Sequence, residues 1–303
     1  MTMGLVNDRP EGFRSGFGAI VGRPNTGKST LANALVGEKV AITSSKPETT
    51  RTAIRAIIAG ADFQVVLVDT PGLHRPRTLL GSRLNDLVHE ALVDVDAVVV
   101  ALPADQEIGP GDRFLLAALP QQVAAVAAVT KIDRVGRGPL VEKLSEVDDL
   151  RPWAGIVPVS AVTGAGVTEL ASLLGKLMPP GPRWYPEGQT TDQELQVRLA
   201  ELIREAALEE MRDELPHSVA VLIDDVAQAE GDGVTRVLAS LYVERDSQKG
   251  IVIGHKGARL KQIGTAARPA IEALVGGRVY LRIHVKVAKD WQRDPKLLKK
   301  LGF

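Results

Sequence analysis

Short apolar runs alternate with helical stretches over the first 178 residues. The apolar runs predict strands at 18–21, 63–68, 97–101, 124–129 and 155–159, and helical spacing appears within 31–36 and 167–177. Strands without a polar face are typical of parallel sheets that helices cover on both sides. The pattern therefore predicts an α/β fold with a mostly parallel sheet, whose ligands bind at the carboxyl ends of the strands.

A proline-rich stretch separates this pattern from a different one. Residues 178–186 contain four prolines, which can neither continue a helix nor join the interior of a sheet. Beyond it the spacing predicts an α+β arrangement, with helices at 192–214 and 258–275 and strands at 217–225, 234–244 and 278–287. We expect a tail at 1–15, a first domain at 16–178, a linker at 179–191, and a second domain at 192–303 that ends in a basic tail.

The composition limits the class of protein. Of the 303 residues, 45% are hydrophobic and 24% are charged, as in soluble globular proteins. The chain has no cysteine, which excludes disulfides and thiolate metal sites and fits a reducing compartment. Residues 1–15 do not resemble a signal peptide, and the most apolar run, 91–103, is too short to span a bilayer. A cytoplasmic location is expected.

Charge is distributed unevenly although the formal net charge is zero. Residues 243–303 contain 14 Lys and Arg against 5 Asp and Glu, a net charge of +9, so the other residues carry 23 against 32, a net charge of −9. Such a surplus favours binding to nucleic acid or to another anionic surface. The alternative is that these charges form a solvated surface that binds no partner, and that they are unevenly distributed by chance.

A glycine-rich motif follows the first predicted strand. The sequence Gly-Arg-Pro-Asn-Thr-Gly-Lys-Ser at 22–29 stands between that strand and a helix, which is the context of a P-loop. In this motif backbone N–H groups surround phosphate oxygens, Lys28 reaches the β- and γ-phosphates, and Ser29 offers a hydroxyl to Mg²⁺. The predicted phosphate-binding residues are Gly22, Arg23, Pro24, Asn25, Thr26, Gly27, Lys28, Ser29 and Thr30.

Two further strand ends carry polar motifs. Asp69-Thr70-Pro71-Gly72 ends the strand at 63–68, where an aspartate linked to Mg²⁺ and a glycine near the γ-phosphate belong. Thr130-Lys131-Ile132-Asp133 ends the strand at 124–129, and the Asp133 carboxylate can accept two hydrogen bonds that guanine offers and adenine does not. Lys131 can lay its stem on the purine. Ser160-Ala161 would close the guanine pocket.

These motifs, in this order, resemble the G domain shared by translational and ribosome-assembly GTPases. The resemblance implies that GTP and GDP are the ligands, that Thr50 of the Thr-Thr-Arg segment is the second Mg²⁺ ligand beside Ser29 and Asp69, and that Thr49 is the alternative. One departure is Thr130, where the family usually has asparagine, which puts one supporting hydrogen bond in doubt.

The predicted catalytic set is Lys28, Thr50, Gly72 and Asn25. Leu73 follows Gly72 where Ras-like enzymes have the glutamine that orients the attacking water, and a leucine cannot do this. Hydrolysis is therefore either slow until a partner completes the site or assisted by another cation. Asn25 occupies the position that helps to hold K⁺ in a related subset of GTPases, so K⁺ is a candidate cofactor beside Mg²⁺.

A second glycine motif lies in the basic region. Gly254-His255-Lys256-Gly257 has the Gly-x-x-Gly pattern of a KH domain, with the end of an apolar strand or helix before it and a predicted helix after it. The glycines let the backbone approach the sugar-phosphate chain, basic side chains neutralise phosphates, and an isoleucine-rich groove accepts bases. The predicted RNA-binding residues are Lys249, Ile251, Ile253, Gly254, His255, Lys256, Gly257, Arg259 and Lys261.

Together with the G motifs, the segment 243–257 resembles the Era family, bacterial GTPases of small-subunit assembly. The resemblance runs from about Gly16 to the C-terminus. It implies a P-loop G domain followed by a type II KH domain, binding near the 3′ end of small-subunit ribosomal RNA, an assembly-checkpoint role as a monomer, and partial peripheral association with the membrane. The alternatives are a factor in which hydrolysis only resets the nucleotide state, and a signalling GTPase whose basic face binds anionic lipids.

Overall fold

The computed structural model describes residues 11–44, 46, 49–72, 78–211, 218–228 and 233–302. Contacts divide the chain into two compact units, the first of which ends at Asp192. The second begins at Gln193 and also includes the described residues of Ile42–Thr49 and of 78–82. The predicted division into two domains thus needs two amendments, because two short stretches of 16–178 group with the second unit.

A six-stranded sheet forms the centre of the first unit. Its strands, in the order β2-β3-β1-β4-β5-β6, are parallel except for the edge strand β2, which pairs antiparallel with β3. The predicted α/β fold with a mostly parallel sheet is confirmed. The strands are β1 (Arg14–Val21), β2 (Ile54–Ala59), β3 (Phe63–Asp69), β4 (Ala97–Pro103), β5 (Ala124–Thr130) and β6 (Gly155–Pro158).

Helices flank this sheet and bury its two faces in separate cores. One core contains Ile20, Leu31 and Leu170, and the other contains Val21, Val100 and Leu115. The helices are α1 (Lys28–Val36), α2 (Leu79–Ala91), α3 (Pro110–Ala118), α4 (Arg137–Asp148) and α5 (Val167–Leu177). The apolar pattern predicted only α1 and α5 among these helices, and it missed β2, a six-residue strand at the edge of the sheet.

The described residues of the predicted tail, 11–15, and the predicted linker, 179–191, belong to the first unit. β1 begins at Arg14, before the expected boundary at 16, and Pro180 forms a β-bridge with it. The side chain of Gln64, which is buried in β3, bonds the backbone of Trp184 and Tyr185. A buried amide needs such partners, so the proline-rich stretch packs against the sheet and does not act as a free linker.

The second unit is a three-stranded sheet covered by helices on one face. Its strand order is β7-β8-β9, in which β7 and β8 are antiparallel and β8 and β9 are parallel. Helices α6 and α8 pack on this sheet around a core that includes Leu199, Val237 and Ile263. The elements are α6 (Leu195–Glu210), β7 (Ala220–Gln228), β8 (Thr235–Val243), α7 (Asp246–Ile253), α8 (Ala258–Val275), β9 (Val279–Val287) and α9 (Pro295–Lys300).

The order of these elements places one helix before the sheet and the Gly-x-x-Gly loop between α7 and α8, as predicted. The segment before that loop is a helix, one of the two conformations that the sequence left open. Within the described part of the chain, no helix is both long and apolar enough to cross a membrane.

Candidate nucleotide site and RNA-binding loop

The P-loop connects β1 to α1 through a tight turn. Gly27 has φ 95° and Asn25 has φ 63°, both in the left-handed region that glycine adopts readily and asparagine tolerates. The Thr26 hydroxyl donates to the Arg23 carbonyl at 3.0 Å and stabilises the turn. In this arrangement the N–H groups of the first turn of α1 need no partner within the helix and can bind phosphate.

Lys28 lies in the middle of this loop. Its side chain is buried, and its Nζ donates to the carbonyl oxygens of Gly22 and Arg23, each at 3.0 Å. Burial lowers the pKa of Lys28 to about 8, although the nearby Asp69 charge opposes the shift. A triphosphate would offer this poorly solvated ammonium a stronger set of acceptors.

The predicted Mg²⁺ ligands come together. Ser29 Oγ lies 2.8 Å from Thr50 Oγ1, and Asp69 ends β3 with its side chain fully buried. Among the described residues, neither carboxylate oxygen of Asp69 accepts a hydrogen bond of good geometry, although the Ser29 hydroxyl lies close enough to favour the charged form. Burial raises the pKa of Asp69 to about 6, while the Ser29 hydroxyl and the Lys28 charge lower it in part. Two hydroxyls and an unpartnered carboxylate fit Mg²⁺, which prefers oxygen ligands and keeps phosphates in its shell.

The geometry distinguishes the two candidate threonines. The Thr49 hydroxyl donates to the Lys46 carbonyl at 2.7 Å, and the Thr49 carbonyl accepts a bond from the buried side chain of Arg204. Thr43 N donates to Glu205 of the same unit at 2.9 Å. Thr49 is therefore committed to other partners, and Thr50 is the threonine that reaches Ser29. The sequence did not indicate these bonds to α6, because charged residues like those of α6 are common on any exposed helix face.

Gly72 needs to be glycine because the P-loop approaches it closely. A Cβ atom at this position would lie 2.8 Å from Pro24 N and 2.9 Å from Pro24 Cα, both closer than real contacts allow. Just before it, the Thr70 hydroxyl donates to the Ile20 carbonyl at 2.8 Å and ties the turn to β1. Pro71 lies between them, and Leu73 lies outside the described residues.

The base motif is joined directly to the P-loop. Thr130 Oγ1 donates to the Thr26 carbonyl at 2.6 Å, and Lys131, with φ 59°, donates from Nζ to the Asn25 carbonyl at 2.6 Å. Thr130 therefore makes a supporting bond although it replaces the family's asparagine. Strand ends β5 and β6 also meet here, since Ser160 Oγ lies 2.6 Å from Asp133 Oδ1. This bond orients the carboxylate that would select guanine.

The other predicted nucleotide residues lie in these turns, with one qualification. The Arg23 side chain forms an ion pair with Asp112 of α3 at 2.7 Å, so the residue offers the nucleotide its backbone and not its charge. Ile132 lies in the turn after β5, and its N–H donates to the Val159 carbonyl. Thr30 lies in the first turn of α1, and Ala161 follows Ser160.

The Gly-x-x-Gly loop is open to solvent. Gly254, Lys256 and Gly257 have φ values of 71°, 49° and 79°, and His255 and Lys256 are exposed. A Cβ at Gly254 would lie 2.9 Å from the Cβ of Arg259, so this position also requires glycine.

The side chains around the loop match the predicted roles unevenly. Ile251 is 45% exposed and Lys261 is exposed, whereas Lys249 and Ile253 are half-buried. Arg259 Nη1 donates to the Ile251 carbonyl at 2.9 Å, which braces α7 against α8. Arg259 therefore has a structural bond in addition to any phosphate that it contacts.

The fold and the two sites define a P-loop GTPase with an appended KH domain. A family model described as "50S ribosome-binding GTPase" matches residues 17–131, and the KH domain model matches residues 214–292. Two curated proteins named GTPase Era, from Mycolicibacterium smegmatis and from Mycobacterium tuberculosis strain H37Rv, are 58% and 59% identical to the chain. Each alignment covers 96% of this chain and 99% of the relative. The chain belongs to the Era family of GTPases.

Solved structures agree with this assignment. A variant of Aquifex aeolicus Era bound to GDP and AlF4⁻ superposes with a TM-score of 0.92 at 34% identity. An Era complex with MgGDPNP and nucleotides 1506–1542 of 16S ribosomal RNA superposes with a TM-score of 0.90 at 33% identity. Both cover 96% of this chain and 99% of the matched chain.

Proposed function

We propose that this GTPase binds small-subunit ribosomal RNA near its 3′ end through the KH domain and acts as a checkpoint in assembly of the small ribosomal subunit. The observation that carries the proposal is the pairing, in one chain, of a guanine-nucleotide site with an exposed, basic Gly-x-x-Gly loop. The Era complex with a 16S fragment supports the choice of RNA, because it matches nearly the full length of this chain. The family model whose description names the 50S ribosome matches only residues 17–131, so it does not cover the KH domain.

The reaction is in-line attack of water on the γ-phosphate. Lys28 and the amides of the P-loop stabilise the charge that develops on the phosphoryl oxygens. Ser29, Thr50 and Asp69 would hold Mg²⁺, which supplies further charge neutralisation when bound. Gly72 keeps a backbone N–H near the γ-phosphate without a side chain that would collide with Pro24. Asp133 and Lys131 select and hold guanine.

K⁺ is the proposed second ion. Support comes from the left-handed conformation of Asn25 and from the bond that its carbonyl accepts from Lys131, which fix its place in the loop. GTP turnover should be faster in KCl than in NaCl at equal ionic strength. The Asn25→Gly variant tolerates the same backbone and removes the side-chain oxygen, so it should lose the difference. Equal rates in the two salts for the unchanged protein would refute a role for K⁺.

The RNA partner is best tested by crosslinking the purified protein to cellular RNA with GTP and with GDP, and sequencing what is bound. Reads should concentrate near the 3′ end of small-subunit ribosomal RNA and depend on the nucleotide. A variant that removes the charges of the loop, His255→Ala with Lys256→Ala, should lose these reads while it keeps GTP binding. Reads spread evenly over cellular RNA would contradict the proposed target.

Variants of this protein distinguish the checkpoint proposal from the alternative in which hydrolysis only resets the nucleotide state. If hydrolysis only resets the nucleotide state, the Thr50→Ala variant, which should bind GTP but hydrolyse it slowly, should still promote assembly of small subunits. Under the checkpoint proposal this variant should arrest assembly with the protein retained on the particle. Lys28→Ala, which should not bind GTP, serves as the control that fails under both readings.

We also propose a monomeric, cytoplasmic protein that associates in part with the inner face of the membrane. The surplus of basic residues in 243–303 supports attraction to anionic lipids as well as to RNA. Affinity for RNA and for vesicles of phosphatidylglycerol should be compared at matched salt. Stronger binding to the vesicles would favour the signalling alternative over ribosome assembly.

A further inference from the structure

The first turn of α3 contains a buried carboxylate, that of Asp112. Its side chain is 2% exposed, and each of its two oxygens accepts a hydrogen bond. Oδ2 accepts the N–H of Gly109, the residue before the helix, at 2.9 Å, and Oδ1 accepts Nε of Arg23 in the P-loop at 2.7 Å. A carboxylate in the first turn also stabilises the helix, because the N-terminus is the positive end of the helix dipole. The same side chain therefore begins α3 and joins it to the P-loop.

The Arg23 side chain is held at its stem as well as at its charged end. Besides its bond to Asp112, it donates from Nη2 to the Glu107 carbonyl at 3.3 Å. Its stem crosses Gly111 of α3, where a Cβ atom would lie 2.9 Å from the Cδ atom of Arg23, closer than real contacts allow. A guanidinium is planar and donates in fixed directions, so these contacts together specify one orientation. The start of α3 therefore determines how Arg23 is placed.

The backbone of Arg23 belongs to the phosphate site. Its carbonyl oxygen accepts hydrogen bonds from Nζ of Lys28 and from the Thr26 hydroxyl, each at 3.0 Å. The next residue, Pro24, is the one that Gly72 approaches closely. A displacement of Arg23 would therefore move two parts of the site: the ammonium group that stabilises the transferred phosphoryl group, and the surface against which Gly72 lies.

Two other roles for this ion pair fit the geometry less well. An arginine near a nucleotide can contact the γ-phosphate directly, but the guanidinium of Arg23 is already bonded to Asp112 and to the Glu107 carbonyl. An ion pair that only stabilises the fold has no need of a link to the site, and the pair of Arg55 with Asp192 is an example at the edge of the sheet. The pair formed by Arg23 instead has a buried acceptor, and its arginine lies in the turn that holds the P-loop lysine.

We propose that Asp112 is a positioning residue for GTP hydrolysis, which acts through Arg23 to fix the P-loop carbonyl that holds Lys28. Stabilisation of the transition state by a lysine depends on where its ammonium group lies, and small displacements are costly. Binding of GTP before the reaction is shared among the loop amides, the metal ligands and the base motif, so it is less sensitive to one displaced group. The proposal concerns the hydrolytic step and does not depend on which RNA the protein binds.

Steady-state hydrolysis of GTP separates this role from a role in folding. Asp112→Asn keeps the size of the side chain but offers one oxygen in place of two and no charge. Its kcat should fall about tenfold, while KM for GTP should change by less than about threefold. Asp112→Glu still offers a carboxylate to the capping N–H and to the arginine, so it should restore most of the rate. An unchanged kcat for Asp112→Asn, or a loss entirely in KM, would overturn the proposal.

Combining two substitutions tests the route through the arginine. Arg23→Met removes the guanidinium and keeps an unbranched stem, so it should lower kcat by about the same factor as Asp112→Asn. The double variant should be no slower than either single variant, because both substitutions break the same connection. Losses that multiply would mean that the two residues act separately, which would overturn the proposal. Arg55→Met, which breaks the ion pair with Asp192, is the control and should keep the rate.

A further variant displaces Arg23 without removing any charge. Gly111→Ala places a methyl group against the stem of the arginine, and kcat should fall by about threefold or more. Gly138→Ala is the matched control, because Gly138 is also the second residue of its helix, α4, and a Cβ there meets no heavy atom within 4 Å. Both variants gain the same helix propensity, so a difference in kcat between them reports the displacement of Arg23. Equal rates, with a lower melting temperature for Gly111→Ala, would reduce the contact to a structural brace and overturn the proposal.

Discussion

Two glycine loops, each leading into a helix, use the same backbone geometry in different surroundings. Gly27 precedes α1 with φ 95°, and Gly257 precedes α8 with φ 79°. The first loop has one other residue with positive φ, Asn25, and the second has two, Gly254 and Lys256. The difference lies in burial. Lys28 is enclosed and bonded to carbonyls of its own loop, whereas Lys256 is exposed.

This difference suits the two loops to different ligands. An enclosed lysine in a loop of N–H donors can hold one triphosphate in one register, and it stabilises charge strongly because the local dielectric is low. An exposed lysine is screened by water and salt, so each contact that it makes with a phosphate is weak. It can contact phosphates at many positions along a nucleic-acid backbone. The same turn thus serves a catalytic site in one unit and a binding surface in the other.

Replacing the enclosed lysine should have the largest effect. Lys28→Ala removes the cation nearest the transferred phosphoryl group, and we expect kcat/KM for GTP to fall by a hundredfold or more. Steady-state phosphate release measures the loss. Lys39→Ala, an exposed lysine just beyond α1, is the control and should leave the rate unchanged. A loss below tenfold would mean that burial does not distinguish the two loops.

The second largest effect should be the dependence of nucleotide binding on pH, because buried groups of the enclosed site titrate. Burial shifts both pKa values toward the neutral forms, to about 6 for Asp69 and about 8 for Lys28, so both groups are mainly charged only between pH 6 and 8. Affinity for Mg²⁺ with GTP should therefore be highest between pH 6 and 8 and fall by up to about tenfold per unit beyond either limit. Titration calorimetry measures it. Asp69→Asn should bind more weakly and lack the fall below pH 6 that is due to the carboxylate, while the titration of the nucleotide itself remains in both proteins.

The same shifts set the sign of the change in stability of the nucleotide-free protein. Between the ordinary carboxyl pKa of 3.8 and about 6, the folded state keeps a proton on Asp69 that the unfolded state releases, so stability falls as the pH rises. Between about 8 and 10.5 the folded state has lost the Lys28 proton that the unfolded state keeps, so stability rises with pH. The opposite trend in thermal unfolding would contradict the burial of these charges.

Sequence reasoning succeeded where chemistry and spacing coincide. The glycine, lysine and hydroxyl positions of the P-loop, and the polar ends of β3 and β5, were located because each needs one residue type at one place. It failed at β2, α2, α3 and α4, whose short or mixed patterns do not stand out from surface segments. It also missed the bonds from Thr130 to Thr26 and from Arg204 to Thr49, since such contacts between distant segments leave no local pattern.

The conformation of the exposed loop should matter more than its charge. Gly254→Ala forces a side chain into the left-handed region and against Arg259, so affinity for unstructured RNA should fall by about tenfold. Gly250→Ala, in α7 with no heavy atom within 4 Å of the added Cβ, is the matched control and should bind normally. GTP hydrolysis should be unaffected in both. Equal RNA affinity for the two variants would show that the backbone of this loop does not approach the RNA.

Removing the exposed lysine should have the smallest effect. Lys256→Ala takes away one screened phosphate contact, so affinity for RNA should fall by only about threefold and the salt slope by about one. Fluorescence anisotropy at several salt concentrations measures both quantities, with Lys176→Ala, an exposed lysine of α5, as the control. A hundredfold loss, comparable to that expected for Lys28→Ala, would mean that Lys256 becomes enclosed when RNA binds. The difference in burial between Lys28 and Lys256 would then exist only in the free protein, because bound RNA would bury Lys256 as the fold already buries Lys28.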